Sequence, residues 1–540
     1  MKPFPEAETI RARPAPSWVP PVLRPRFTWR YVVCSLAIGY VLYSFVASRH
    51  IFAHPLPQYS GPHAVGAIDV EAAAASPRLV DPARFKATKE NAFELRTVLF
   101  TLYYPASKGQ HVLKHHHDWI PKPISVTAAG YAKFAHIGNF FTNVLFTGAI
   151  KLLVGNIKIP AGVDLPILGD KGVALDSSSS STESSGILPG DGDEIEKILL
   201  ERTGHTTHDG YPVIVFSHGM ASSRTDYTHY AGELASRGYV VAMLEHRDGS
   251  SPGSIIQEAG RPDETRLTFR MSEVESAEGD DLKEDDLKKA QLDFRQAEVE
   301  EAVRVLRRIN AGDGADVFAA NPRREGAHLH DWAGRLNVDG MIVAGHSYGA
   351  TGAMQALKDG PSEERPFRAA IVLDPGKQSG RLNDDIAVPI LVVHSNSWSK
   401  KRSMFYGRAH FDTVRDIVAG NNDRGHASWF LTSLGTSHPS VTDAPLLEPF
   451  LLSVTTGAKI NVYEALRQYV HVSEDFMKFL ADGEKRNLLA EPAEFPEYDE
   501  GKGFGKWKPG QGDDDTTEKG ASGRIGGSTG RFTSLLRKKT

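Results

Sequence analysis

A mostly parallel β-sheet with helices on both faces is the fold class this sequence predicts, and three observations carry the prediction. Short apolar runs such as Val213-Ile214-Val215-Phe216 and Ala369-Ala370-Ile371-Val372-Leu373 recur without polar alternation, as strands buried on both faces require. Helical stretches lie between them, so successive strands are joined by crossovers. One run, Met341-Ile342-Val343-Ala344, leads directly into Gly345-His346-Ser347-Tyr348-Gly349, and a helix of small residues from Ala350 to Leu357 follows. A serine on such a turn is lifted out of the sheet, needs small flanking residues, and has the next backbone N–H aimed where a carbonyl oxygen would lie.

The remaining elements follow in order. The Pro- and Arg-rich residues 1–30 are expected to be disordered. Tyr31 to Ser48 is a stretch of eighteen residues without a charge, long enough to just span a hydrocarbon core of about 30 Å. Lys2, Arg11, Arg13, Arg24, Arg26 and Arg30 precede it, and Arg49 is the nearest basic residue after it. The positive-inside rule then predicts a single-pass membrane protein with a cytosolic N-terminus, 31–48 being a transmembrane signal anchor. Residues 49–90 read as a linker, and strand patterning begins at Thr97. A helix is expected over 226–237 with Gly238 as its cap, then a strand over 239–244. Insertions are expected near 172–196, which includes the Ser177–Ser185 stretch, and near 272–290, which is highly charged. The domain carrying the serine covers 91–485, and 498–540 is a polar tail expected to be disordered.

Composition excludes some functions. The formal net charge of -5 over 540 residues gives no nucleic-acid footprint. Cys34 is the one cysteine, so no internal disulfide forms, and no Asn-x-Ser/Thr sequon is present. The adjacent His115, His116 and His117 have no acid or cysteine cluster beside them in sequence and read as a solvated loop; neither a metal nor a cofactor is expected.

A serine nucleophile on this fold is followed in the chain by an acid and then a histidine, each at a strand end, which is the α/β-hydrolase arrangement. Asp374 ends the run Ala369–Leu373, one strand past the serine, whereas Asp384 and Asp385 sit in a polar loop with no strand behind them. Among downstream histidines, His394 comes one element early, His426 precedes an apolar run, and His438 follows one in Leu434-Gly435-Thr436-Ser437-His438. Asp374 and His438 are the expected partners of Ser347, with His426 as the alternative base. Two convergent backbone donors are needed for an oxyanion, and the expected pair is the N–H groups of Tyr348 and of Met220, the latter following His218-Gly219 at another strand end.

Several stretches together resemble the platelet-activating-factor acetylhydrolases of the plasma and intracellular type II kind. They are Leu102-Tyr103-Tyr104-Pro105, Asp118-Trp119-Ile120-Pro121, Tyr211 to Met220, Glu245-His246-Arg247-Asp248, the serine turn, Leu373-Asp374, and Gly435-Thr436-Ser437-His438, in family order over roughly residues 95–445. The resemblance implies a calcium-independent serine esterase that removes the sn-2 acetyl or a short, oxidised acyl chain from a phospholipid. It carries the family's serine, aspartate and histidine onto Ser347, Asp374 and His438, and its oxyanion donors onto Met220 and Tyr348. Tyr348-Gly349-Ala350 departs from the Phe-Gly-Gly common in animal members. The segment Phe134 to Phe146 reads equally as a lipid-contacting helix and as an ordinary buried one, since its bulky apolar residues suit both. Competing readings are a general carboxylesterase or peptidase on the same fold, and a non-catalytic, membrane-tethered interaction protein.

Overall fold

Apolar runs become strands and the stretches between them become helices, in a computed structural model that describes residues 28–46, 53–107, 115–169, 210–400, 403–449, 455–491 and 532–534. In chain order the strands are β1 (Ala64–Phe85), β2 (Asn91–Ala106), β3 (Gly162–Val163), β4 (Tyr211–Ser217), β5 (Val240–Glu245), β6 (Gly253–Ile256), β7 (Glu264–Leu267), β8 (Val274–Glu275), β9 (Leu336–His346), β10 (Phe367–Leu373), β11 (Ile390–Ser395), β12 (Met404–Phe405), β13 (Arg408–Ala409), β14 (Ser428–Ser433) and β15 (Phe532–Ser534). The main sheet runs β15-β14-β11-β10-β9-β4-β5-β2-β1-β3, with β8 on β1. From β14 to β5 every pairing is parallel, and β2 and β1 then add antiparallel strands. This is a mixed α/β fold with a mostly parallel central sheet, consistent with the α/β-hydrolase arrangement.

The principal helices are α1 (Trp29–Val46), α2 (Ile124–Phe134), α3 (Phe140–Leu153), α4 (Thr228–Ala235), α5 (Glu284–Arg308), α6 (Tyr348–Gln355), α7 (His410–Asp423) and α8 (Val462–Asp482). Strand alternation divides the core between the two sheet faces. Val213, Val215, Val343, Ala370 and Val392 pack with Val299, Val303 and Leu306 of α5, Ala353 of α6 and Val414 of α7. Phe216 points the other way, onto Tyr227 and Tyr230, and Trp429 of β14 meets Phe476 of α8. The acidic run expected as an insertion near 272–290 is partly structural. Val274–Glu275 pairs with β1, and Glu284, Asp285 and Asp286 occupy the first turn of α5, where they complement its dipole.

Two expectations are corrected. Residues 64–85 of the supposed linker 49–90 form β1, paired with β2 from Ala64↔Ala106 to Arg84↔Asn91. Its alanines and glycine have low strand propensity, and pairing to the strongly apolar β2 overrides that. The second correction concerns α1, which belongs to a separate unit, Met1–Ala53. Among the described residues no helix is long and apolar enough to cross a membrane, so the transmembrane anchor at 31–48 and the single-pass membrane localisation are withdrawn. The physical reason is length. Arg30 occupies the first turn of α1, which spans Trp29–Val46, and this leaves sixteen uncharged residues among those described. At a rise of about 1.5 Å each they reach about 24 Å, short of a core of about 30 Å. Residues 1–27 of the expected disordered N-terminus, the insertion near 172–196 and the tail 498–540 lie outside the described residues, except that Phe532–Ser534 pairs antiparallel with β14.

Candidate active site

The turn between β9 and α6 is held by sterics that only glycine meets. A Cβ on Gly345 would lie 2.2 Å from the Gly349 carbonyl oxygen, and one on Gly349 would lie 1.9 Å from that of Ser217. Between them Ser347 adopts φ 57° and ψ -119°, a costly conformation for a residue with a side chain, fixed by its N–H donating to the Leu373 carbonyl at 2.9 Å. The neighbouring strand β10 ends at Asp374, also at positive φ (48°), whose N–H donates to the Val393 carbonyl. Both side chains are thereby raised at the carboxyl ends of adjacent parallel strands.

The structure brings together Ser347, Asp374 and His438. His438 Nε2 lies 3.1 Å from Ser347 Oγ, and its Nδ1 lies 2.8 Å from Asp374 Oδ2. Asp374 is nearly inaccessible and also accepts from the Ser395 N–H at 2.6 Å and the Ser395 hydroxyl at 2.7 Å. With Nδ1 donating to that carboxylate, Nε2 is free to accept from Ser347. The His438 side chain is 30% exposed, so this chain of hydrogen bonds opens to the surface.

A second serine–histidine–acid chain lies deeper. Ser217 Oγ is 2.6 Å from His246 Nε2, and His246 Nδ1 is 2.6 Å from Glu298 Oε2. All three are at most 2% exposed, and Ser217 Oγ also accepts from Arg295 at 3.2 Å. Burial denies it a substrate, and it ties β4, β5 and α5 together.

The turn from His218 to Ala221 lies against the serine: a Cβ on Gly219 would be 3.2 Å from Ser347 Cβ. The Gly219 N–H donates to the Tyr227 hydroxyl at 3.2 Å and the Ala221 N–H to the Ser250 carbonyl at 2.8 Å. Among the described residues, neither the Met220 nor the Tyr348 N–H has an acceptor. His218 is fully buried, and burial, then the Arg295 charge, lower its pKa to about 4. It is therefore neutral. Its Nε2 accepts from the His246 N–H at 3.1 Å, which leaves Nδ1–H to donate to the Gly219 carbonyl at 2.8 Å.

Sequence reasoning missed the turn after β11. Ser395 holds Asp374, Ser397 Oγ accepts from the His438 N–H at 2.9 Å, and the Trp398 indole stacks on His438 at 3.9 Å and 10°. His346 lies 4.5 Å from the same imidazole, and burial, then His438, push its pKa well down. A tryptophan three residues after the serine that ends β11 was the available signal. The other candidates sit apart. His394 is buried against Ser399 (Nδ1 to Oγ 3.3 Å), and the His426 N–H donates to the Asn421 carbonyl beyond the end of α7. The Asp384 carbonyl accepts from Arg424, and the Asp385 N–H donates to Asn383.

The solvated loop expected for His115–His117 does not hold at His117, whose Nε2 lies 2.9 Å from both Glu325 carboxylate oxygens. Asp69 completes a group with metal-like spacing there, but it is engaged by Arg224 at 2.7 Å and by Thr101 at 2.5 Å. A cation would have to displace a buried guanidinium. The segment 134–146 resolves in favour of exposure: Phe140 is 76%, Phe141 82% and Leu145 69% exposed, and α3 buries none of its residues.

Comparison with known proteins adds the following. The family described as platelet-activating factor acetylhydrolase, isoform II, matches residues 198–491, more than half of the chain. A Schizosaccharomyces pombe protein, provisionally assigned as a phospholipase A2, is 26% identical over 308 residues, covering 51% of this chain and 69% of the relative. The platelet-activating factor acetylhydrolase of Cavia porcellus is 31% identical over 171 residues, 31% of this chain and only 36% of that enzyme. A ferulic acid esterase structure from Streptomyces cinnamoneus aligns with a TM-score of 0.42 at 15% identity, covering 81% of this chain and 95% of that one.

Proposed function

Because this chain belongs to the platelet-activating factor acetylhydrolase isoform II family, and is thus an ester hydrolase, we propose that it removes the sn-2 acetyl or a short, oxidised acyl group from phospholipids, without calcium, through an acyl-enzyme on Ser347. The observation that carries this reading is the open Ser347–His438–Asp374 chain of 3.1 and 2.8 Å at the carboxyl edge of the sheet.

Ser347 Oγ attacks the ester carbonyl as His438 Nε2 takes its proton, and Asp374 holds the imidazole in the required tautomer and stabilises the imidazolium. The two uncommitted N–H groups, of Met220 and Tyr348, receive the charge that develops on the carbonyl oxygen. Collapse breaks the ester bond, and the proton on His438 passes to the leaving glycerol oxygen, which departs as lysophospholipid. Water, deprotonated by His438, then attacks the acyl-serine, and as the bond to Ser347 Oγ breaks His438 returns its proton to that oxygen and the short acid leaves. No step here asks for a metal ion.

Access to a lipid has its own support. The exposed Phe140, Phe141, Val144 and Leu145, with Lys133 and Lys151 nearby in sequence, suit shallow insertion into a phospholipid surface. In α2, a Cβ on Gly130 would lie 1.8 Å from the Pro252 carbonyl oxygen, so that helix packs against the 250–252 segment, whose Ser250 carbonyl accepts from the Ala221 N–H.

The test uses matched vesicles whose lipids differ only in the sn-2 chain. Faster product release from sn-2 acetyl than from sn-2 oleoyl lipid is expected. Equal or faster release from the oleoyl lipid would make it a general phospholipase, and turnover of aryl esters alone would make it a carboxylesterase.

A further inference from the structure

Both segments that carry the uncommitted N–H groups are fastened to the same helix. On α5, Arg295 is 1% exposed. Its Nη1 donates to the His218 carbonyl at 2.7 Å and to Ser217 Oγ at 3.2 Å, its Nη2 to Ser250 Oγ at 2.5 Å, and its Nε to Asp248 Oδ2 at 2.8 Å. The carbonyl of Ser250 accepts from the Ala221 N–H, so the guanidinium grips the 218–221 turn directly at one end and through Ser250 at the other. The same guanidinium lies over the Tyr348 ring, 4.4 Å from its centroid. One helical turn earlier, Gln291 accepts from the Tyr348 hydroxyl at 2.7 Å and donates to the Asp248 carbonyl at 3.0 Å.

We propose that Arg295 is a positioning residue for the oxyanion hole, holding the 218–220 backbone and the Tyr348 segment at a fixed separation so that their N–H groups converge on one oxygen. This rests on the assignment of Ser347 as nucleophile with Met220 and Tyr348 as donors. A peptide plane can rotate about its flanking bonds, and a hydrogen bond to the His218 carbonyl fixes the plane shared with Gly219. The neighbouring plane, which carries the Met220 N–H, is then set by the Gly219 carbonyl's bond to His218 Nδ1. A buried Arg–Asp pair adds little stability over an apolar pair of the same volume. Its five fixed donors do supply a rigid fork that lysine lacks.

The test is Arg295→Lys, which keeps a cation beside Asp248 but loses the fork, together with Gln291→Leu, which releases the Tyr348 hydroxyl. Kinetics are measured on a soluble short-chain aryl ester. Affinity is measured for a trifluoromethyl ketone, which Ser347 attacks to form a hemiketal oxyanion while its proton passes to His438. Misplacing one oxyanion donor without deleting it should lower kcat about 5- to 30-fold, with KM changed less than about 2-fold. Ketone affinity should weaken by the same factor, and Gln291→Leu should act in the same direction and more weakly. A merely structural role would lower the urea midpoint and leave kcat and ketone affinity of the folded enzyme unchanged. That result for Arg295→Lys overturns the proposal while wild-type turnover stands. If Arg295→Lys does not fold, wild-type kcat and ketone affinity in Gln291→Leu overturn it. A wild-type enzyme that neither turns over ester nor binds the ketone removes the assignment beneath it.

Discussion

Gly219→Ala tests the site through geometry alone, without removing any chemical group. The added Cβ would lie 3.2 Å from Ser347 Cβ, 3.2 Å from the Tyr227 hydroxyl and 3.5 Å from the His346 carbonyl. Carbon atoms prefer about 3.5–4.0 Å, so the turn must retreat from the serine by roughly half an ångström. Gly219 is absent from the positive-φ glycines, so the backbone itself tolerates alanine. The retreat carries Met220 with it, and a donor that must sit at about 2.7–3.1 Å from the oxyanion moves to the weak edge of hydrogen bonding. Removing such a donor outright costs about 3–4 kcal/mol; displacing it should cost about 1–2, or a 5- to 30-fold fall in kcat. KM should barely change, and stability to urea should fall by about 1–2 kcal/mol, since the added methyl enters a buried site beside Tyr227 and His346. The assay is steady-state hydrolysis of a soluble aryl ester beside urea unfolding. Wild-type kcat in a folded variant would refute the placement of the oxyanion donor.

Further outcomes follow from the same geometry. Ser347→Ala and His438→Ala should each lower kcat at least about a thousandfold, Asp374→Asn somewhat less, and His426→Ala not at all; a dead His426→Ala with an active His438→Ala would reverse the choice of base. His218 titrates near about 6.5 when unfolded and about 4 when folded, so between those values the unfolded chain binds the extra proton. Stability should therefore fall as pH drops from about 6.5 to about 4, by up to about 3 kcal/mol from this residue, and the slope should flatten in a folded His218→Asn variant. A slope identical to wild type would refute the neutral, buried His218. Phe141→Asp with Leu145→Asp should weaken vesicle binding and phospholipid turnover several-fold and leave aryl ester turnover unchanged; equal loss on both substrates would argue that α3 supports the fold instead of contacting lipid. Esterase activity should be the same in EDTA as in calcium, and loss in EDTA restored by calcium would refute the mechanism.

The parts of the site legible in sequence are those governed by local constraints. Gly345 and Gly349 are dictated by contacts within the turn and one strand away, so the serine between them could be read directly. Asp374 and His438 could be placed because strand ends and their order are visible as apolar runs. Arg295 and Glu298 could not, because they lie in a helix dense with charge, and only the packing of α5 beneath β4 and β5 shows that they are buried and paired. Trp398 was hidden for a related reason: its stacking on His438 joins residues forty positions apart through the pairing of β11 with β14. At the N-terminus the expected span rests on the absence of charge alone, whereas among the described residues α1 offers only sixteen uncharged residues and no helix is long and apolar enough to cross a membrane. The strand β1 was underread, because alanine and glycine conceal a strand whose pairing partner supplies the apolar bulk.

The central claim is that Ser347 carries the acyl group during cleavage of a short sn-2 ester. Rapid chemical quench of the enzyme turning over an sn-2 acetyl phospholipid, followed by mass spectrometry of the peptide containing Ser347, tests it most directly. The account predicts an acetyl group on Ser347 that appears together with a burst of lysophospholipid and is absent from Ser347→Ala. Turnover of the same lipid with the acetyl group on another residue, or undiminished turnover by Ser347→Ala, would contradict it.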